Sequence, residues 1–385
     1  MCLGGAERSL IGLLQALDYE QVEVDLFLNE HKGELMEMIP STVRILPENK
    51  KYKALCAPIS QNLKKGRVLL ALSRLYGKLS AKWKDKGAKN GGIRGEYSHK
   101  YTKWLMPQLC ANKEYDLAIS FITPHYFVAE KIKAKKKIAW IHTDYKQIAL
   151  DVKSQLKMWD PYDNIVAVSE AVRDNFVEIF PSLKEKVFVM ENILPKKMIE
   201  EQSHAFEPET KSEKRFKILS VGRFCEAKNF ENIPFIAKEL LSLGLDIVWY
   251  IIGYGADEEK IKNSIVKSGM QNNVIVLGKR ANPYPYLLDC DLYVQPSRYE
   301  GKAVTVKEAQ LLGKPVVITD FPTAKSQLQD GVDGIIVPLD NKLCAKGIYE
   351  FVCNVDKTLQ ITKNTSNNSY SQNEEIKKLC NRGLI

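Results

Sequence analysis

The chain has 385 residues, 45% of them hydrophobic, with 56 Lys plus Arg against 47 Asp plus Glu for a formal net charge of +9. This composition excludes a disordered or collagen-like polymer, and the length predicts two domains, each able to bury its own core. No apolar run reaches the roughly 18–20 residues needed to span a bilayer and no basic-then-apolar leader opens the chain, so a cytosolic protein is expected. The eight cysteines (Cys2, Cys56, Cys110, Cys225, Cys290, Cys344, Cys353, Cys380) form no C-x-x-C pair. They are read as free thiols, with neither a zinc site nor a disulfide framework.

Short β-rich runs at 22–28, 116–121, 137–142, 164–169 and 187–190 alternate with helical patterns, the signature of a parallel sheet wrapped by helices. The positive charge is concentrated between the first two of these runs. Residues 50–104 hold 15 Lys plus Arg and only Asp85 and Glu96, a local +13 that leaves −4 for the rest. Within residues 62–90, Leu69, Leu70, Leu72, Leu75, Leu79 and Trp83 recur at helical spacing among Lys64, Lys65, Arg67, Arg74, Lys78, Lys82 and Lys84. This amphipathic basic helix suits an anionic membrane surface, or else is an ordinary domain helix with a solvated cationic face. Nucleic acid is the least favoured partner, because no aromatic stacking platform is interleaved with the charge.

Residues 201–215 are polar and charged, without apolar periodicity, and are expected to link an N-terminal domain of residues 1–200 to a second domain of residues 216–345. A new series of strands follows at 216–222, 246–253, 274–277, 292–295, 315–319 and 334–337. The expected architecture is α/β, two Rossmann-like domains facing a cleft, with ligands beyond the carboxyl ends of the strands. Residues 346–385 are expected to be a helical tail, with a polar loop at 361–372 and a last helix packing back on the first domain.

The most informative stretch runs from Asp289 to Thr319. A strand ends at Gln295, a Pro-Ser-Arg-Tyr-Glu-Gly loop follows, and a helix begins near Ala303 and is stopped by Gly313 and Pro315. Glu300 in the loop and Glu308 in the helix are separated by roughly 8 Å or more at 1.5 Å per residue, a spacing that could bracket a diphosphate. Between them, the N–H groups of Lys302, Ala303 and Val304 would form an anion site at the helix N-terminus. Alternatively, Glu300 simply begins the helix and Glu308 is a solvated surface charge. The first strand of the second domain leads into Ser220-Val221-Gly222-Arg223, which places Arg223 and Lys228 at a strand's carboxyl end, where an anion would lie. Two fixed cations and a helix N-terminus can stabilise a diphosphate leaving group, and no Asp-rich or His cluster suggests a metal. Gly253-Tyr254-Gly255 adds a G-x-G turn after a strand, a weak signal by itself.

With these residues together, 216–340 resembles the donor-binding domain of family-4 glycosyltransferases, which have the GT-B fold. The resemblance implies that Glu300 and Glu308 form the family's E-x7-E motif, the first on the donor sugar and the second on the ribose. It implies that Arg223 and Lys228 grip the diphosphate and that Gly222, Gly253, Gly255 and Gly301 line the donor. Many members follow the first Glu with Gly-Phe-Gly, whereas here it is Gly301-Lys302-Ala303, so a lysine beside the donor phosphates could alter donor choice. In the first domain, Gly4-Gly5-Ala6-Glu7-Arg8 resembles the family's glycine loop, and His142, at a strand's carboxyl end, resembles a histidine near the transferred sugar. Ser169 has the context of a helix N-cap and is read as structural.

The resulting expectation is a retaining glycosyltransferase that moves a hexose-type sugar from a nucleoside diphosphate donor to a hydroxyl acceptor without a further cofactor. Retention is implied by the resemblance alone. The acceptor is expected to be a lipid-linked saccharide of cell-surface polysaccharide synthesis, and the protein to sit peripherally on the inner face of the membrane. A same-fold epimerase or disaccharide-phosphate synthase, and an inactive nucleotide-sugar-binding protein, are the rival readings. Because at most three residues precede Gly4 where the family places a buried strand, the first strand of the N-terminal domain is expected to be missing, and the chain to start too late or to be a truncated copy.

Overall fold

The computed structural model describes residues 5–84, 92–367 and 372–385. The chain divides into two compact units, one of Met1–Ile193 with Gln372–Ile385 and the other of Leu194–Ser371.

In the first unit, β1 (Asp25–Leu26) and β2 (Arg44–Ile45) form a short parallel pair, and β3 (Tyr115–Ser120), β4 (Ala134–Ile141), β5 (Asn164–Ala167) and β6 (Val187–Val189) form a four-stranded parallel sheet in sequential order. The run expected at 22–28 contributes only two strand residues, and β2 had no recognisable pattern because it is equally short. Side chains tie the pair to the larger sheet. The carboxylate of Asp25 accepts a two-pronged bond from Arg44 at 2.6 Å on each arm, with Lys113 at 3.0 Å and the Tyr115 hydroxyl at 2.7 Å. The Arg44 guanidinium holds the Asp25 carboxyl well below the usual carboxylate range. Ile138, Ile165, Val166, Trp159 and Phe176 are fully buried in the core over β3–β6. Ser169 caps the helix Glu170–Ile179 by accepting from the Val172 N–H. The segment expected to precede the glycine loop, and Gly4, lie outside the described residues, and the first described element is the helix Gly5–Ala16.

The second unit holds a six-stranded parallel sheet of β7 (Phe216–Arg223), β8 (Ile247–Tyr254), β9 (Val274–Gly278), β10 (Leu292–Gln295), β11 (Val316–Thr319) and β12 (Ile335–Val337), in the order β12-β11-β10-β7-β8-β9. Near-continuous Val, Ile and Leu runs fit strands covered on both faces. One cluster (Ile218, Trp249, Ile251, Val294) fills one side, and another (Leu219, Tyr293, Val306, Ile318) fills the other. The Ser220 hydroxyl accepts from the Trp249 indole at 3.0 Å and donates to the Val294 carbonyl at 2.6 Å, linking the three central strands.

Two expected boundaries move. The break falls between Ile193 and Leu194, and the supposed linker packs on the second unit. The helix Lys196–Ser203 buries Ile199 beside Tyr284 and Leu287, the Thr210 hydroxyl donates to Asp289 at 2.6 Å, and Arg280 and Tyr286 hold Glu209 at 2.7 and 2.5 Å. Apart from Leu194, Met198 and Ile199, polar bonds hold this segment, so hydrophobic periodicity had little to report. The second unit also continues past residue 345, through the helices Asn341–Cys353 and Val355–Asn367, with Cys344, Ile348, Phe351 and Ile361 in its core. The polar stretch expected as a loop is partly helix, because Ile361 and Thr365, four residues apart, form one buried face. The helix Gln372–Asn381 lies in the first unit, with Leu379 fully buried and Glu375 accepting from the Glu191 N–H. Among the described residues no helix is long and apolar enough to cross a membrane.

Candidate functional site

The order of the second sheet reverses at its centre. The chain proceeds outward from β7 through β8 to β9, then returns to place β10 on the other side of β7 and continues through β11 to β12. Loops leaving β7 and β10 therefore diverge at the switch point, where open α/β sheets hold ligands. Those two loops carry Arg223, Lys228 and Glu300.

Lys228 and Glu300 meet there. The ammonium donates to Glu300 Oε1 at 2.5 Å, and the two side chains are 16% and 12% exposed. Behind the carboxylate stands a relay of buried polar groups: the Tyr293 hydroxyl donates to Gln295 Oε1 at 2.5 Å, the Gln295 amide to Ser297 Oγ at 2.8 Å, and the Ser297 hydroxyl to the same Glu300 oxygen at 2.6 Å. Thr323 fixes the Glu300 carbonyl at 2.7 Å. Sequence reasoning passed over this relay, although a glutamine closing the otherwise apolar strand Leu292–Gln295 was a signal. It also missed Arg298, which donates to the Glu226 carbonyl at 2.6 Å and to the buried Glu231 at 2.9 Å, pinning the Lys228 loop against the Glu300 loop. Arg223 ends β7 with its side chain exposed, and makes no ion pair with the described residues.

Close backbone approach explains the glycines. Gly253 pairs with Gly222, and a β-carbon on Gly253 would lie 1.9 Å from the Gly222 carbonyl oxygen. A β-carbon on Gly255 would lie 2.3 Å from the Phe224 carbonyl oxygen, and one on Gly222 would press on the Lys228 stem at 3.1 Å. We therefore expect Gly253→Ala to destabilise the second unit by about 2–3 kcal/mol or more, the scale of overpacking against rigid backbone. Urea unfolding with an unchanged midpoint would contradict the close approach.

Two expected details change, and one alternative falls. The helix Val304–Leu311 begins as foreseen, but the Ala303 N–H is already bonded to Gln327 Oε1 at 2.6 Å, so it is not free for an anion. Lys302 donates to the Ser326 carbonyl at 2.8 Å, and its ammonium is thus turned toward the 324–327 segment. Glu308 is no solvated surface charge. It is fully buried and accepts from the Tyr284 hydroxyl at 3.0 Å. Gly301 and Val304 are both buried.

The remaining predicted residues lie in the first unit. Gly5 opens the helix Gly5–Ala16. His142 follows β4, its ring 4.7 Å from Phe121, and its Nε2 is buried with no hydrogen-bond partner among the described residues. Burial pushes the imidazole down to about 4, against a partly opposing backbone hydrogen bond at Phe121, so it is neutral at pH 7. Among the described residues, no group of three or more His, Cys, Asp or Glu could hold a metal ion.

Comparison with known proteins bears on the fold and on the second unit. Residues 201–368 match the family model described as Glycosyl transferases group 1. An uncharacterized glycosyltransferase of Methanocaldococcus jannaschii is 28% identical over 178 residues, 45% of this chain and 43% of that protein. The N-acetylgalactosamine-N,N'-diacetylbacillosaminyl-diphospho-undecaprenol 4-alpha-N-acetylgalactosaminyltransferase of Campylobacter jejuni is 29% identical over 126 residues, 32% of this chain and 34% of that protein. The matched regions thus span less than half the length of these curated relatives. The crystal structure of Anabaena HepE in complex with UDP and glucose superposes with a TM-score of 0.68 over 98% of this chain and 95% of that one, at 15% identity. The fold is that of the GT-B glycosyltransferases.

Proposed function

We propose that the protein is a retaining glycosyltransferase of the family-4 type that transfers a hexose-type sugar from a nucleoside diphosphate donor to a hydroxyl acceptor. The observation that carries this reading is the Lys228–Glu300 pair at the sheet's switch point, inside the region that matches the glycosyltransferase family model. In this reading the diphosphate draws the Lys228 ammonium off Glu300, and the freed carboxylate accepts from the sugar's hydroxyls. Arg223 joins Lys228 in stabilising the leaving diphosphate without a metal. Glu308, steadied by Tyr284, binds the ribose, and neutral His142 offers a hydrogen bond to the transferred sugar. A lipid-linked saccharide of cell-surface polysaccharide synthesis is the proposed acceptor, in keeping with the diphospho-undecaprenol named for the Campylobacter relative.

A thermal-shift screen of nucleotide sugars tests the donor half directly. The true donor at about 100 times its dissociation constant should stabilise the protein by roughly 2.7 kcal/mol, and failure of every nucleotide sugar to raise Tm would reject the reading. Once a donor is known, Glu308→Gln, which keeps an acceptor for Tyr284, should weaken donor binding about tenfold or more with a smaller change in kcat, because ribose contacts persist through the reaction. A fall in kcat alone would remove Glu308 from the ribose. Turnover that collapses with EDTA would overturn the metal-free proposal.

A further inference from the structure

The helix Val68–Lys84 is oriented opposite to what its composition favours energetically in water. Its small residues are buried, with Ala71, Gly77 and Ala81 turned inward beside Leu70, and its large ones face out. Leu69 is 62% exposed, Leu72 53%, Leu79 58% and Trp83 87%. At about 100° per residue, these side chains together with Val68, Leu75 and Tyr76 fall within an arc of roughly 120° on the face away from Leu70 and Ala81. Leu63, on the preceding helix Ile59–Lys64, is also exposed. The ring of Tyr76 meets Tyr101, whose carbonyl accepts from the indole of exposed Trp104, carrying the aromatic surface onto a neighbouring segment. A contiguous apolar face of this kind marks an interaction surface.

Charge selects the occupant. Residues 50–84 contain ten Lys plus Arg and no Asp or Glu. Lys64, Lys65, Lys78 and Lys82 are exposed, and none is ion-paired among the described residues. Lys78 and Lys82 border the apolar arc along one side, at one turn's separation. A second copy docked on this face would bring two cationic rims together, whereas an anionic bilayer satisfies both features: acyl chains take the leucines and tryptophan, and headgroup phosphates take the lysines. We propose that Val68–Lys84 lies in the plane of an anionic membrane surface and docks the first unit there. The docking rests on the exposed face alone and does not require the transferase reading. Residues 85–91 of the basic stretch lie outside the described residues.

The test is sedimentation of the full chain with vesicles of phosphatidylglycerol or of phosphatidylcholine. Binding to phosphatidylglycerol should be at least about tenfold tighter, and should weaken steeply as salt rises from about 0.1 to about 1 M and the Debye length falls from ~10 to ~3 Å. Leu72→Asp/Leu79→Asp and Lys78→Glu/Lys82→Glu should each reduce that binding about tenfold or more. All four positions are exposed, so circular dichroism and Tm should be unchanged. Equal binding to both lipids, or native-like sedimentation of both double variants, overturns the proposal. So does a chain that ignores vesicles but self-associates in light scattering until Leu72→Asp/Leu79→Asp makes it monomeric, since the face would then be covered by a second copy. No nucleotide sugar enters the assay, so its outcome is independent of the donor screen.

Discussion

Lys228→Ala is expected to lower sugar transfer about 10²-fold or more, the loss typical when one preorganised charge-stabilising donor is removed from a reacting centre. The same substitution should also destabilise the second unit. Glu300, 12% exposed in the intact pair, would lose its cation and keep the Ser297 hydroxyl as its remaining partner at that oxygen. Removing one partner of a fully buried pair costs about 3–5 kcal/mol, and residual solvent contact together with Ser297 brings the expected cost here to about 1–3 kcal/mol. The two consequences separate in the double variant Lys228→Met/Glu300→Gln, which leaves no stranded charge. It should recover most of the lost stability in urea unfolding and none of the lost turnover. Arg223→Ala gives the complementary case: its side chain is exposed, so turnover should fall by a similar factor with Tm nearly unchanged. Near-native turnover in both Lys228→Ala and Arg223→Ala would sink the diphosphate assignment.

Mild acid should destabilise the first unit. His125 is fully buried, its Nδ1 2.8 Å from the Ser120 hydroxyl and its ring packed on Trp159, and its Nε2 has no partner among the described residues. Burial, followed by repulsion from His142, pushes it down to about 3. Burial likewise takes His142 and His99 down to about 4 each, with Arg74 adding to the effect at His99. An unfolded histidine titrates near 6.5, so below that pH the unfolded chain binds protons that these buried histidines refuse, and they lower stability as pH drops, offset in part by Glu96, whose carboxyl burial pushes up. Between pH 7 and pH 5 each neutral buried histidine loses at most about 2 kcal/mol of stabilisation, so the three together lose no more than about 6 kcal/mol. Paired carboxylates do not confuse the window. Asp25, held low by Arg44, forfeits its contribution only as pH falls below the unfolded value near 4. Urea unfolding of the first unit at pH 7 and pH 5 checks this, with His125→Gln expected to flatten part of the slope. PH-independent stability across that interval would show that the histidines are not held neutral.

Much of the second unit was legible in the amino acids because its signals are local. A mostly apolar strand that ends in Gly-Arg, or closes on a glutamine before Pro-Ser-Arg-Tyr-Glu-Gly, declares both the strand end and the polar loop beyond it, and Gly253 and Gly255 declare backbone crowding. The leucine stripe of 69–83 was equally plain, yet its direction was not. Helical spacing says that Leu69, Leu72 and Leu79 share a face, but whether that face meets the core or the solvent depends on what lies alongside, and only the tertiary structure places Ala71, Gly77 and Ala81 inside. Lys228 and Glu300, 72 positions apart, were assigned to different parts of one ligand, and their ion pair arises because the reversal of strand order sets β10 beside β7. The boundary at 193–194 escaped notice for a related reason. Apolar periodicity reports burial of hydrophobic faces, while residues 196–212 are held by Glu209, Thr210, Arg280 and Asp289, whose partners lie some 70–80 positions away. Local sequence therefore determined which elements form and which chemical groups end them, because strand propensity, turns and crowding act over a few residues. Pairing across the sheet decided which of those groups meet, because hydrogen bonds and ion pairs depend on distance in space.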